Sequence, residues 1–514
     1  MSRSKESSML KETVFLSSIS VILQGMGLLL NIFLTRKLGA ASVGALTLIG
    51  SFYGLAAVLS GGSGFITCSR FLSEELGCGG NPKRVFSFTA SFCMILSATA
   101  AAVICIFAPS ITRIISKTGA TVTTVRILSI SLPISSLTAC LKGRCYAYQK
   151  AFLPAISDCI EFILRAGILA FFTVFFIPYG KATVLTAFAV SVIAGQGIAA
   201  LYLMLMPMPN QSNTNLCSVS LRKLIKMMLP VIGNTCLVSL LSTANDALVP
   251  LTLLQYGNST EQALAQFGEF EAIIIPALFF PSVVQCCMSG LMVPELSRAR
   301  AEKDSEKIRT MSENVMEQTI AFSLFVVSFL VQFGKSLGLI LGGDPITGKV
   351  LQCMAPVVPF IYIEIIMEGI LRGLGKQNFS SVNYLGEYIV RISVLLICVP
   401  MYGFYGIVVS YMACNLVGNS IRLFYVLRTT GLRPNLKKML LRPAFAVLIT
   451  WQISVLLNLI LQKAHVRQLT AIILCTLVSG VLYAFILRVL KRIAEQPKAA
   501  EDSKKNSSRM AVSS

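Results

Sequence analysis

Leu153-Pro-Ala-Ile-Ser-Asp158-Cys-Ile-Glu161-Phe-Ile-Leu-Arg165-Ala-Gly-Ile-Leu-Ala-Phe-Phe-Thr-Val-Phe-Phe-Ile177 is a 25-residue run interrupted by three charges. A helix rises about 1.5 Å per residue, so this run can cross a hydrocarbon core of about 30 Å with some tilt. It is one of fourteen. The others lie near 10–35, 44–69, 85–109, 120–141, 183–206, 224–254, 266–294, 313–334, 347–371, 379–401, 404–427, 440–461 and 467–490. The chain therefore reads as an all-α polytopic membrane protein.

Composition agrees. Hydrophobic residues make up 55% of the 514 and charged residues 13%, about half the charged share of soluble domains. The first span is too long for a cleavable signal peptide and leads straight into a second span. The net charge of +21 follows topology rather than a nucleic-acid surface. With the N-terminus inside, alternate segments hold 31 Lys and Arg inside and 10 outside. That asymmetry predicts cytoplasmic N- and C-termini in a multi-pass plasma-membrane protein, with anionic lipid as the partner of the basic loops and no nucleic acid.

Fifteen cysteines, mostly within spans, show no CxxC, and the one histidine is His465. No metal site is expected, and no cofactor. Walker A, HExxH and nucleophile-elbow patterns are missing, so no catalytic residues are assigned and the chain does not read as an enzyme.

The opening stretch recurs. Glu161-Phe-Ile-Leu-Arg165 returns as Glu387-Tyr-Ile-Val-Arg391, 226 positions on. A weaker echo links Phe71-Leu-Ser-Glu74 to Glu295-Leu-Ser-Arg298 at an offset of 224. Span 5 thus matches span 11 and the repeating unit is six helices, an even number, so both copies share one orientation. The expected organisation is a six-helix lobe over 1–206, a linker over 207–222, a second lobe over 223–430, helices 13–14 over 431–492 and a disordered cytoplasmic tail over 493–514. A cleft between two such lobes would serve alternating access.

Charges inside the membrane each need a reason, at about 2.5–3.5 kcal/mol for a central charge on insertion scales. Glu161 and Arg165 stand four apart on one helix face, as do Glu387 and Arg391. Two readings fit: ion pairs that lock each lobe, or arginines presented to an anionic head group, whose phosphate the planar guanidinium grips with two donors. Arg36, at the end of span 1, either snorkels or joins that group. Glu364 and Glu368 share a face of span 10 with Arg372 and have no counterpart in span 4. With Asp246 they are candidates for coupling to a cation, H+ or Na+. Asp246, Glu269 and Glu271 lie toward the outer end, in an acidic vestibule or in solvent.

Several stretches together resemble one family. Arg36-Lys-Leu-Gly39 with Val43-Gly44-Ala-Leu, and Ser69-Arg70-Phe-Leu-Ser-Glu74-Glu75, look like the ends of helices 1 and 2 in polysaccharide flippases of the MOP (multidrug/oligosaccharidyl-lipid/polysaccharide) exporter superfamily. Lys142-Gly143 through Gln149, Pro154, Ser157, Glu161 and Arg165 is similar to helices 4–5 of its stage V sporulation protein B branch. Val293-Pro294-Glu-Leu-Ser297 and Gly369-Ile-Leu-Arg372-Gly-Leu-Gly375 look like the second-half counterparts. The resemblance implies a MATE-like fold of fourteen helices and a bacterial flippase. Its implied substrate is undecaprenyl-diphosphate-linked sugar, moved by alternating access for polysaccharide, peptidoglycan or spore-cortex assembly, with the lipid tail against helices 13–14. The alternative within the superfamily is a cation-coupled multidrug antiporter.

Overall fold

A computed structural model describes residues 2–61, 64–77, 81–114, 121–176, 181–207, 221–432, 434–435 and 437–512. The expected linker falls almost wholly outside them. Every expected span is helical. In chain order the helices are α1 (Ser2–Leu38), α2 (Ala40–Leu59), α3 (Gly64–Gly77), α4 (Pro82–Ile114), α5 (Val122–Ala147), α6 (Phe152–Phe176), α7 (Lys181–Leu205) and α8 (Leu221–Gln255). Then come α9 (Thr260–Glu269), α10 (Ile275–Phe279), α11 (Val283–Ala301), α12 (Ser305–Ile340), α13 (Pro345–Met354) and α14 (Val358–Gly373). The last are α15 (Gln377–Tyr402), α16 (Phe404–Thr430), α17 (Arg442–Lys463) and α18 (Gln468–Val512).

Three spans are built from more than one helix. The second breaks between α2 and α3, where Gly61 takes a φ of +134°, a conformation that a side chain would strain. The eighth runs through α9, a π-helical turn at Phe270–Ile274, α10, a 3₁₀ turn at Phe280–Ser282 and α11. Pro276 and Pro281 lack the N–H that regular helix bonding needs, which accounts for the irregularity. The tenth joins α13 to α14 through Ala355–Val357. Among the described residues thirteen helical segments are long and apolar enough to cross a bilayer. The fourteenth, α6, is 25 residues long and carries Asp158, Glu161 and Arg165. Large apolar side chains such as Ile106, Phe424 and Val481 point outward from the helices, as a lipid solvent allows. The helix α18 runs as far as Val512.

The chain forms two compact units. The first comprises Met1–Val283, Leu341–Gly343 and Gln377–Gly418, the second Val284–Ile340, Asp344–Lys376 and Asn419–Ser514. These do not coincide with the sequence halves, because α9 lies closely against α2 and α15 against α8 within the first unit. The core of the first unit gathers Leu34, Ile49, Val125, Leu128, Leu169, Leu185 and Ala272. In the second, Phe333 meets Ile472 and Cys475.

Equivalent packing recurs at the repeat offset. A Cβ on Gly143 would lie 2.6 Å from the Phe65 carbonyl oxygen and 3.1 Å from Ser69 N. Gly369, 226 positions later, faces Ser289, which is 224 positions after Phe65. Helices 4 and 10 of the span count thus seat the same glycine against helices 2 and 8, each within its own unit. Small residues let helix backbones approach where apolar burial offers no drive.

Candidate functional site

The strongest polar cluster of the first unit grows from the irregular eighth span. The π turn at Phe270–Ile274 carries Glu271, and such turns are enriched at functional sites. The Ala272 carbonyl, whose usual helical donor would be the N–H that Pro276 lacks, accepts from Asn31 Nδ2 at 3.2 Å. Arg391 Nη2 of α15 stands 3.9 Å from Glu271 Oε1, and its guanidinium lies 4.9 Å from the centre of the Tyr411 ring. Tyr411 is held in turn edge-on to Phe270 at 6.0 Å. Asp246 of α8 accepts from Ser51 Oγ at 2.6 Å and Asn245 Nδ2 at 3.1 Å, close enough to Arg391 and Glu271 to interact electrostatically. One arginine therefore faces two carboxylates, all three partly buried.

The arginine is loosely held. At 3.9 Å its contact with Glu271 is longer than a charge-assisted hydrogen bond of about 2.7–2.9 Å. The aromatic face of Tyr411 stabilises the cation without consuming a donor. Such a guanidinium can exchange one oxyanion partner for another.

The pairs expected within single helices are not the ones formed. Glu161 reaches Lys142 Nζ of α5 at 3.5 Å, and Lys142 also bridges Asp158 at 2.6 Å. Arg165 is half-buried and makes no ion pair among the described residues. Arg391 goes to Glu271 rather than to Glu387 on its own helix. Glu387 accepts from Asn383 Nδ2 at 2.8 Å, and its carboxylate fills the space a side chain at Gly418 would need. Partners on neighbouring helices win because the interior is between helices, whereas an own-helix pair must bend both side chains along one face. Arg36 is exposed at the last turn of α1, where its side chain lies beside Gly342.

In the second unit, Glu364 and Glu368 of α14 flank Arg422 of α16. Arg422 is 0% exposed, with Nη1 3.4 Å from Glu364 Oε1, Nε 3.2 Å from Glu368 Oε1, and Nη1 donating to Asn419 Oδ1 at 2.6 Å. Glu364 also accepts from Asn419 Nδ2 at 3.4 Å, and Arg372 stands 3.9 Å from Glu368, as its spacing predicts. Arg422 is the residue that sequence reasoning left without a role. The clue was there: two acids in span 10 and one cation in span 12. These carboxylates are already occupied by a fixed cation. Asp246 is half-buried and hydrogen-bonded, and Glu269 is buried.

Among the described residues no group of three metal-ligating side chains exists. No protein-family model matches the chain. A sequence relative is stage V sporulation protein B of Bacillus subtilis (strain 168), 21% identical over 407 residues that cover 76% of this chain and 77% of that protein. Among solved structures, the lipid II flippase MurJ in an inward closed conformation aligns at a TM-score of 0.72 and 13% identity, covering 94% of this chain and 99% of that one. An inward-facing multidrug resistance MATE family transporter of the MOP superfamily aligns at 0.63 and 17%, covering 80% and 94%. With thirteen helical segments long and apolar enough to cross a bilayer among the described residues, and with these likenesses, the chain is a multi-pass membrane protein that shares its fold with the MurJ and MATE transporter structures and is similar in sequence to stage V sporulation protein B.

Proposed function

We propose that the chain is a flippase that moves a lipid-linked sugar, its diphosphate head group engaged by Arg391, across the bacterial plasma membrane. The observation that carries this is the Arg391–Glu271 contact, a cation sequestered in the membrane yet only loosely paired. A diphosphate offers the guanidinium two oxygens in one plane, a better match than one distant carboxylate oxygen. Arg165, with no ion pair among the described residues, supplies a second positive charge on α6 for the same anionic substrate. When the diphosphate takes Arg391, Glu271 and Asp246 are left to hold a proton or Na+, which links substrate binding to cation binding. Alternating access of two six-helix lobes would carry the head group while the tail stays in lipid. Both termini would face the cytoplasm. The chain's role is transport rather than bond chemistry, and the sporulation relative favours cell-wall or spore-cortex precursors.

The coverage of the structural relatives supports a flippase over a twelve-helix exporter: the MATE chain leaves a fifth of this chain outside the alignment, the MurJ chain about one-seventeenth. One observation favours the antiporter reading, that two acids face one arginine, which leaves the cluster net acidic. Reconstituted protein decides between them. Movement of an undecaprenyl-diphosphate sugar between leaflets, lost in an Arg391→Gln/Glu271→Gln variant that folds at wild-type yield, supports the flippase. Proton- or Na+-driven ethidium efflux with no movement of glycolipid would replace it with the antiporter.

A further inference from the structure

A cavity of about 330 Å³ opens in the second unit, where the beginning of α12, the beginning of α17 and the fourteenth span near Leu490 meet at one end of the bundle. Its lining includes Lys438, Arg442 and Arg488 against the single acid Glu317. Lys438 is already committed, to Glu317 at 2.8 Å and Glu313 at 3.8 Å. Arg442 and Arg488 make no ion pair with any described residue. The amides of Asn314 and Gln318 add donors. The remaining wall is apolar, formed by Ala321, Pro443, Leu487 and Leu490. Beside it, Leu441 in the turn before α17, Phe445 of α17 and Phe485 of α18 are more than half exposed, a surface made for acyl chains.

We infer that this cavity binds the phosphate head group of an anionic phospholipid, with Arg442 and Arg488 on the phosphate and the acyl chains lying along α17 and α18. Two uncommitted guanidiniums over a half-apolar chamber call for an anion that carries hydrocarbon with it. A free phosphate would meet the same arginines but would leave the apolar wall against water. The Lys/Arg distribution assigns this end to the cytoplasmic face, where anionic lipid draws basic groups toward the membrane surface. The site belongs to the second unit and Arg391 to the first, and the inference does not depend on the transport reading.

The chain supplies its own probe. Trp451 is its one tryptophan and lies nine residues beyond Arg442 in α17, about 13 Å deeper along the helix, at the level of acyl chains. Full-length protein is placed in vesicles of dioleoyl phosphatidylcholine doped with either brominated phosphatidylglycerol or brominated phosphatidylcholine, and Trp451 quenching is read. The expected result is stronger quenching by the brominated phosphatidylglycerol at equal doping, with that preference falling about fivefold for each of Arg442→Gln and Arg488→Gln. Arg428→Gln removes an exposed charge at the end of α16, outside the cavity, and leaves the preference intact. Equal quenching by the two lipids, or an equal loss in Arg428→Gln, overturns the site. Inorganic phosphate that stabilises the detergent-purified protein as much as phosphatidylglycerol does, through the same two arginines, overturns the lipid assignment in favour of a free anion.

Discussion

Gly44 of α2 and Gly268 of α9 touch backbone to backbone: a Cβ on Gly268 would sit 2.6 Å from Gly44 N. The contact is reciprocal. A side chain on Gly44 would strike the Leu264 carbonyl, and one on Gly268 would strike the Ala40 carbonyl. Ala40 and Leu264, like Gly44 and Gly268, are 224 positions apart. Each position thus meets the copy of its partner's partner, which is the signature of a contact across a two-fold axis. The same offset separates Phe71 from Glu295 in the sequence echo, so the duplication and the crossing have one origin.

Leucine at either glycine should therefore be expelled by backbone, which cannot move aside as a side chain can. The expected cost is at least the roughly 1–3 kcal/mol of core overpacking, read as a lower melting temperature of detergent-purified protein. Gly386→Leu in α15, where nothing lies within 4 Å of the glycine, is the matched control and should be tolerated. Equal tolerance at all three positions would mean that α2 and α9 do not cross at these glycines.

The membrane helices were legible because length and hydropathy alone select them, and the repeat because Glu161–Arg165 and Glu387–Arg391 kept their spacing. The ion-pair partners were not. Spacing of four residues reports only what shares a helix face, while Lys142, Glu271 and Arg422 reach their partners across helices, and no one-dimensional pattern encodes which helices are neighbours. The prolines Pro276 and Pro281 stand in the sequence of the eighth span, but the irregular helix they produce was not read from it. That Asn31, some 240 residues earlier, would serve one of its carbonyls depends on the fold.

Asn31 gives a test of that compensation. In Asn31→Leu the buried Ala272 carbonyl loses its side-chain donor, at a cost of about 1–3 kcal/mol. Pro276→Ala restores a backbone N–H four residues on. In the Asn31→Leu background it should recover part of the lost stability, whereas alone it should gain little. A thermal double-mutant cycle measures the coupling, and strict additivity of the two changes would rule the substitution of donors out.

Arg422 should behave as structure rather than as a binding group. Arg422→Leu leaves Glu364 and Glu368 without their cation, and breaking a buried pair from one side costs about 3–5 kcal/mol. Little folded protein is expected. Arg422→Leu with Glu364→Gln and Glu368→Met removes all three charges and should return folded protein to the membrane fraction. If the triple variant also transports, these acids have no part in coupling. Abundant, well-folded Arg422→Leu would show that the triad does not hold the second unit together.

Arg391 differs in kind, because its pairing is loose and its surroundings hold more negative than positive charge. Arg391→Gln alone leaves Glu271 and Asp246 near each other with no cation, so lost activity in that variant could reflect lost protein. The double variant Arg391→Gln/Glu271→Gln removes one charge of each sign and should fold close to wild-type yield by size-exclusion chromatography. Its flipping of a lipid-linked sugar should still fall by at least about a hundredfold, since a charge-assisted bidentate contact to phosphate contributes about 3 kcal/mol or more for two bonds. Arg391→Lys keeps the charge but not the fork, and should fall between the two. Glu271→Gln on its own should bind the diphosphate head group more tightly, because the competing carboxylate is gone, yet release it more slowly and lose its dependence on proton or Na+ gradients. A double variant that flips at the wild-type rate would remove Arg391 from the substrate path and leave it as a brace between α15 and the eighth span.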